Sequence, residues 1–231
     1  MEKVVLHWLN ESAAHRILWL LLELSVPHEV KVHLRDKKTY LSPPELREVH
    51  PLGKAPVLED NGEILAESAF IVEHLMQKYG QGSELAPKSE EEGKKIRFCM
   101  HHSGSLVPAE VMLLSDRKLR TEPPFFLRPL TSAIAQKMDQ AFPIQDLRRH
   151  FDFLEDMLKA NGTGFFVGDH LTAADILYIF TVQNILLLKD HAIFSKDEYP
   201  LLRGWLKKMH QRPALQASYE QVPEKDPSPN L

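Results

Sequence analysis

Within HPLGKAPVLEDNGEILAES (His50–Ser68), a lysine, a proline, an acid and a hydroxyl flank two short apolar runs. Lys54 supplies a cation. The Ala55-Pro56 bond, directly ahead of a strand, is a place where tertiary context can fix a cis peptide. The N–H and C=O of Ala55 would then face outward, a donor and an acceptor for an extended peptide laid beside the sheet. Glu67 can take an ammonium, and Ser68 opens a helix whose free N–H groups and dipole favour a carboxylate. Cation, backbone edge, anion and anion-binding helix start together suit a short peptide with a carboxylate at one end and an amino-acid head group at the other. Each residue also has a plainer reading: Ser68 as a helix cap, Lys54 as a solvated charge, Pro56 as a turn residue. Glu67 is the hardest to explain that way, because a carboxylate closing an apolar strand needs some partner.

The elements that must position this row can be read along the chain. VVLHWL (Val4 to Leu9) has strand composition, SAAHRILWLLLELS from Ser12 is an all-round apolar helix, and HEVKVHL (His28 to Leu34) alternates as a strand. Strand, buried helix and strand predict a parallel βαβ unit. A short helix follows Pro43-Pro44, with Ser42 as its cap. APVLED and EILAE meet at Asn61-Gly62, the strongest short hairpin signal, and Ser68 is expected to cap SAFIVEHLMQKY. Residues 1–80 thus read as one domain and 81–92 as a polar linker. Residues 93–222 read as all-helical, with a bend at Pro108, and 223–231 as a disordered tail.

At 231 residues and 43% hydrophobic content, the chain can bury the cores of two small domains. A net charge of -4 without a basic stripe argues against nucleic acid. A single cysteine, Cys99, excludes an intrachain disulfide and points to a reducing compartment. The start does not resemble a signal peptide. The most apolar run, Ile17 to Val26, is about ten residues, well short of the roughly 20 that span a bilayer. No transmembrane segment and a cytoplasmic location are therefore expected.

HPLGKAPVLED followed by ILAES resembles the glutathione-binding signature of the cytosolic glutathione transferases. LHWLNESAAHRILWLLLEL is similar to the first strand and helix of the fungal yeast-type class and its bacterial relatives, and GDHLTAADI to the family's capping-box segment. The resemblance covers nearly the whole chain. It implies an α/β thioredoxin-like N-terminal domain plus an all-α C-terminal domain, glutathione as cosubstrate with no permanently bound cofactor, hydrophobic electrophiles as second substrates, and a homodimer. By position it places Lys54 near the glycyl carboxylate, Ala55 and Pro56 against the cysteinyl backbone, and Glu67 with Ser68 at the γ-glutamyl head. His102, Ser103 and Leu106 fall where the family builds its second-substrate pocket.

The chemistry that the resemblance implies is the making of a thiolate at neutral pH. A free thiol has a pKa of about 8.5, and one unit of depression needs about 1.4 kcal/mol, within reach of one charge-assisted hydrogen bond. The donor should sit where the first strand meets the first helix. No Tyr or Cys lies between residues 1 and 39, which leaves Ser12 and Asn10, with Ser12 the better match to a serine-type site. Ser12 could equally cap the first helix. Arg16, one turn on, either faces the same region or, the preferred reading, bridges to a carboxylate of the core. Without a catalytic cysteine, conjugation is the expected reaction, with hydroperoxide reduction as a side activity. A glutathione-binding or regulatory module without turnover is the alternative.

Other residues read as structural. Adjacent His101 and His102 diverge by about 100° on a helix and cannot share a metal alone, and no metal motif exists. Cys99 reads as a small buried apolar residue. Thr172 and Asp175 have the spacing of a capping box and should nucleate a helix.

Overall fold

β1 (Val4–Leu9) is interior in its sheet and buried along nearly its whole length, as its apolar residues require, with the one polar side chain, His7, bonded to His33 and Glu59. A computed structural model describes residues 3–187 and 193–222. The sheet order is β2-β1-β3-β4, with β2 (His28–His33) parallel to β1, β3 (Val57–Asp60) antiparallel to it, and β4 (Glu63–Ala66) antiparallel to β3. Asn61 (φ 51°) and Gly62 (φ 82°) make the hairpin turn with both central residues left-handed. The βαβ unit and the hairpin match the sequence reading.

α1 (Ala14–Glu23) crosses between β1 and β2, and Ala14 through Leu21 are all buried. An all-round apolar helix needs cover on its outer side, and α8 (Ala173–Leu186) and α10 (Pro213–Gln221) supply it. α8 is itself apolar on every face. The largest fully buried side chains, Trp8, Trp19, Trp205, Tyr178 and Phe151, come from both halves of the chain. Glu23 at the end of α1 accepts from Trp19 Nε1 (2.7 Å) and takes a bidentate pair from Arg212 (2.6 and 2.7 Å), tying α1 to the start of α10. α10 is not among the elements the sequence spelled out.

α3 (Ser68–Lys78) lies against the hairpin, and the short α2 (Glu45–Val49) precedes it. α4 (Glu90–Ser103) and α5 (Val107–Thr121) are separated by a tight turn of helix at Gly104–Leu106, which begins four residues before Pro108, at the carbonyl its ring and missing N–H disturb, so the expected bend is there. α6 (Arg128–Ala141) and α7 (Pro143–Asn161) form a pair, closed by Gly162 in the left-handed conformation (φ 68°). α9 (Pro200–His210) packs on α7 and α8. Cys99 on α4 is fully buried, and desolvation pushes its thiol up to about 11. Among the described residues no helix is long and apolar enough to cross a membrane. The tail, 223–231, lies outside the described residues.

Candidate functional site

Strand register brings the separated segments together. Val57 pairs with both His7 and Ala66, so Pro56 and Glu67, one step beyond, lie side by side at one end of the sheet. Running the β1–β3 register on sets Ala55 opposite Leu9, from which the chain continues to Asn10 and Ser12. One sheet end therefore gathers residues 9–12, 54–56 and 67–68.

Each segment is held there by its own bonds. Gly53 has φ 58°, and a Cβ at that position would stand 2.6 Å from Arg47 Cγ, so only glycine lets the chain pass over α2. Its carbonyl accepts from Ser42 Oγ at 2.6 Å, which is where Ser42 is used; it does not cap α2. The Ala55–Pro56 bond is cis. Ala55's N–H and C=O have no partner among the described residues, and Lys54 is exposed and likewise unpartnered.

On the other side of the hairpin, Asp60 is buried and accepts from His74 Nε2 (2.7 Å), Lys78 Nζ (2.7 Å) and Tyr79 OH (2.9 Å). Three hydrogen bonds to one carboxylate clamp α3 to the hairpin, and they hold its pKa below the ordinary value against the cost of burial. The start of α3 is fixed as a result. Glu67, not Ser68, occupies the cap position, with φ 73° and ψ 120°, and no side chain caps the helix. The Ser68 hydroxyl stands at the first helical residue. Glu67's carboxylate is exposed and has no partner among the described residues.

Ser12 and Asn10 are both engaged locally. Ser12 Oγ donates to Leu9 O at 2.7 Å and accepts from Ala14 N at 3.2 Å; Ala13 holds the cap position of α1. Asn10 Oδ1 accepts from Arg35 N (2.8 Å), while the Arg35 guanidinium donates to the carbonyls of Asn10, Glu11 and Tyr40. Arg35 laces the β1–α1 loop shut, a role with no signal in the sequence.

A cavity of about 850 Å³ opens beside this sheet end. Ser12, Ala13, Arg16, Arg35, Lys54 and Ala55 form one wall; α5 and α8 form the other through Val107, Glu110, Val111, Leu114, Phe180 and Asn184. Ser12 faces it and Asn10 is absent from its lining. His102, Ser103 and Leu106 do not line it either, which corrects their expected placement. His102 bridges Tyr178 OH (2.8 Å) and His150 Nδ1 (2.9 Å), Ser103 is buried and donates to Met100 O (2.7 Å), and Leu106 is core. The break at Gly104 re-aims the helix, so the face that meets the cavity begins at Val107.

The N-terminal domain model of glutathione S-transferases matches residues 10–84, and the C-terminal domain model matches residues 127–221. Glutathione S-transferase 1 of Saccharomyces cerevisiae is 31% identical over 227 residues, covering 95% of each chain. The chain belongs to the glutathione S-transferase family. Glutathione S-transferase 3 of Schizosaccharomyces pombe is 31% identical, over 95% of this transferase and 88% of its relative. A glutathione S-transferase crystal structure from Actinobacillus pleuropneumoniae superposes with a TM-score of 0.75 at 28% identity, over 97% and 94% of the two chains. The thioredoxin-like sheet and the helical half are thus the two parts of the transferase fold.

The transferase's capping box is present. Asp175 is fully buried and accepts from Thr172 N (3.0 Å), Thr172 Oγ1 (3.1 Å), Phe166 N (3.3 Å) and Trp205 Nε1 (2.8 Å). Burial pushes its pKa up, opposed by those donors. Arg16 faces the same region as Ser12 and makes no hydrogen-bonded bridge to a carboxylate among the described residues: its Nη1 donates to the Leu177 carbonyl (2.7 Å), and the carboxylate it senses is Glu110, in the cavity.

Proposed function

We propose that this transferase binds glutathione along the gathered sheet end and adds its sulfur to hydrophobic electrophiles held in the cavity. Lys54 takes the glycyl carboxylate, the Ala55 backbone pairs with the cysteinyl residue ahead of Pro56, and Glu67 takes the γ-glutamyl ammonium. Ser68, with the first N–H groups of α3, takes the γ-glutamyl carboxylate. The observation that carries this reading is the convergence of polar groups left without partners inside the chain, at the mouth of a largely apolar cavity. The sulfur then lies at the start of α1, where helix N–H groups and Ser12 stabilise the thiolate in a serine-type site. Hydroperoxide reduction is a side activity of the same thiolate. The working protein is a cytoplasmic homodimer, each chain divided at a linker that begins at 81 and gives way to α4 at Glu90, short of the 92 read from sequence.

One observation favours a second reading, a binding module without turnover. The Ser12 proton points to Leu9 O, and it must rotate away to reach a sulfur. The ultraviolet absorbance of bound thiolate against pH separates the two. For the enzyme, wild type shows a glutathione pKa below about 8.5, raised by about one unit or more in Ser12→Ala and unmoved in Asn10→Ala. An undepressed pKa in wild type would leave only the binding module.

A further inference from the structure

Along α6 the exposed large apolar side chains fall at Leu127, Leu130, Ile134 and Met138, a spacing of three and four residues that makes one stripe. Ala135 and Asp139, on another face, are the residues this helix buries where it packs on α5 and α7. Phe125 and Phe126, in the turn from α5, extend the stripe. They are 80% and 67% exposed and meet only edge to face, with ring centres 5.7 Å apart. Exposed apolar residues scattered singly are ordinary; six in one run of turn and helix mark a surface that something covers. The turn is tied in place. Leu127 N donates to Pro124 O (2.9 Å) and Arg128 Nε to Pro123 O (2.9 Å), while Arg120 on α5 reaches across to Ser132 O (3.2 Å) and to the Asp139 carboxylate. The apolar groups are therefore displayed before a partner arrives, which lowers the ordering cost of docking.

Charge identifies the partner. The whole chain carries -4, yet residues 117–138 hold five cations, Arg117, Lys118, Arg120, Arg128 and Lys137, against a single acid, Glu122. Arg120 is spent on Asp139, and Lys118 lies over the Tyr40 ring (4.3 Å) and 3.9 Å from Glu122. Arg128 and Lys137 are both exposed on α6 itself. Arg128 holds the turn through Nε, and Lys137, bordering the stripe beside Ile134 and Met138, has no partner among the described residues. We propose that the α5–α6 turn and the outer stripe of α6 form a peripheral docking surface for an anionic lipid bilayer. Phe125, Phe126 and Leu130 enter the boundary of the acyl chains, and Arg128 and Lys137 reach the anionic headgroups on their long stems. At 14 residues α6 is too short to span a bilayer and lies in the interface plane. A second copy of the chain fits less well, because a two-fold contact sets this patch against itself, cation against cation.

The test is flotation of the full chain with vesicles of phosphatidylcholine alone and of phosphatidylcholine mixed with phosphatidylserine. Wild type is expected to float with the mixed vesicles, more weakly as salt is raised, and to stay behind with the neutral ones. The double variant Phe125→Ser, Leu130→Ser changes two exposed side chains and should lower the partition coefficient about tenfold or more. Lys137→Gln disturbs no apolar contact and should lower it about fivefold. Wild type that does not bind the mixed vesicles overturns the proposal, and so does equal binding to both kinds. A double variant that floats like wild type but sediments as a smaller species assigns the stripe to a second copy of the chain, which also overturns it.

Discussion

Glu67 and Asp175 are both carboxylates at the start of a helix, α3 in one case and α8 in the other, and the chain treats them in opposite ways. Asp175 is fully buried with four donors from three residues converging on it. Glu67 is exposed, has no partner among the described residues, and sits at φ 73°, where side-chain-bearing residues are strained. A carboxylate satisfied inside the fold is part of what holds the fold. One held exposed in a costly backbone conformation adds nothing to the fold, and under the proposed function it serves the γ-glutamyl head group. The same contrast separates Asp60, at the end of β3 and saturated by His74, Lys78 and Tyr79, from Lys54, left bare three residues before that strand begins.

The largest effect should come from Asp175→Ala. Four buried donors lose their acceptor, and urea unfolding should show a loss of about 3 kcal/mol or more. The molecules that remain folded should bind glutathione within about twofold of wild type; a folded variant that no longer binds would erase the distinction between the two carboxylates. Glu67→Gln should do the reverse. Losing a charge-assisted bond worth about 1.5–3 kcal/mol weakens glutathione by roughly tenfold or more, whereas the unfolding free energy should move by less than about 0.5 kcal/mol. Isothermal titration and urea melts on the same preparation measure both, and a destabilised Glu67→Gln with intact affinity counts against the proposed head-group site.

The smallest effect concerns two partnered histidines, His102, half-buried, and His210, buried. Burial lowers His102, with help from His150, and burial lowers His210, each to about 4. The folded state binds fewer protons there than the unfolded chain, whose histidines titrate near 6.5. Their contribution is therefore present above about pH 6.5 and lost as pH falls towards 4. Urea midpoints at pH 7 and pH 5 should differ in that direction, with a shallower difference in His102→Asn; an equal slope would show that His102 is not one of the groups responsible.

What was legible in the sequence is what neighbours in the chain decide. The hairpin at Asn61-Gly62, the capping box of Thr172 and Asp175, and the strand composition of Val4 to Leu9 are local signals, and each has its expected geometry. Ser68 and Ser42 show how weak a lone serine is: neither caps its helix, because a cap is defined by backbone angles that composition does not reveal. The clamp on Asp60 needed the packing of α3, and the lacing by Arg35 needed a whole loop. The cavity wall was misplaced on His102, Ser103 and Leu106 because partners far along the chain decide where they point: His102 turns to Tyr178 and His150, and Ser103 and Leu106 are buried. Long-range partners, Arg16 with Glu110 above all, leave no periodic trace.

Cys99 gives the molecule a kind of immunity. A protein that hosts reactive alkylating agents risks being poisoned by them, and sulfur is the first atom they attack. Here the chain's sole thiol is sealed in α4 and ionises only near 11, so at neutral pH roughly one molecule in ten thousand carries its thiolate. Any sulfur that meets an electrophile in the cavity has to be brought in from outside.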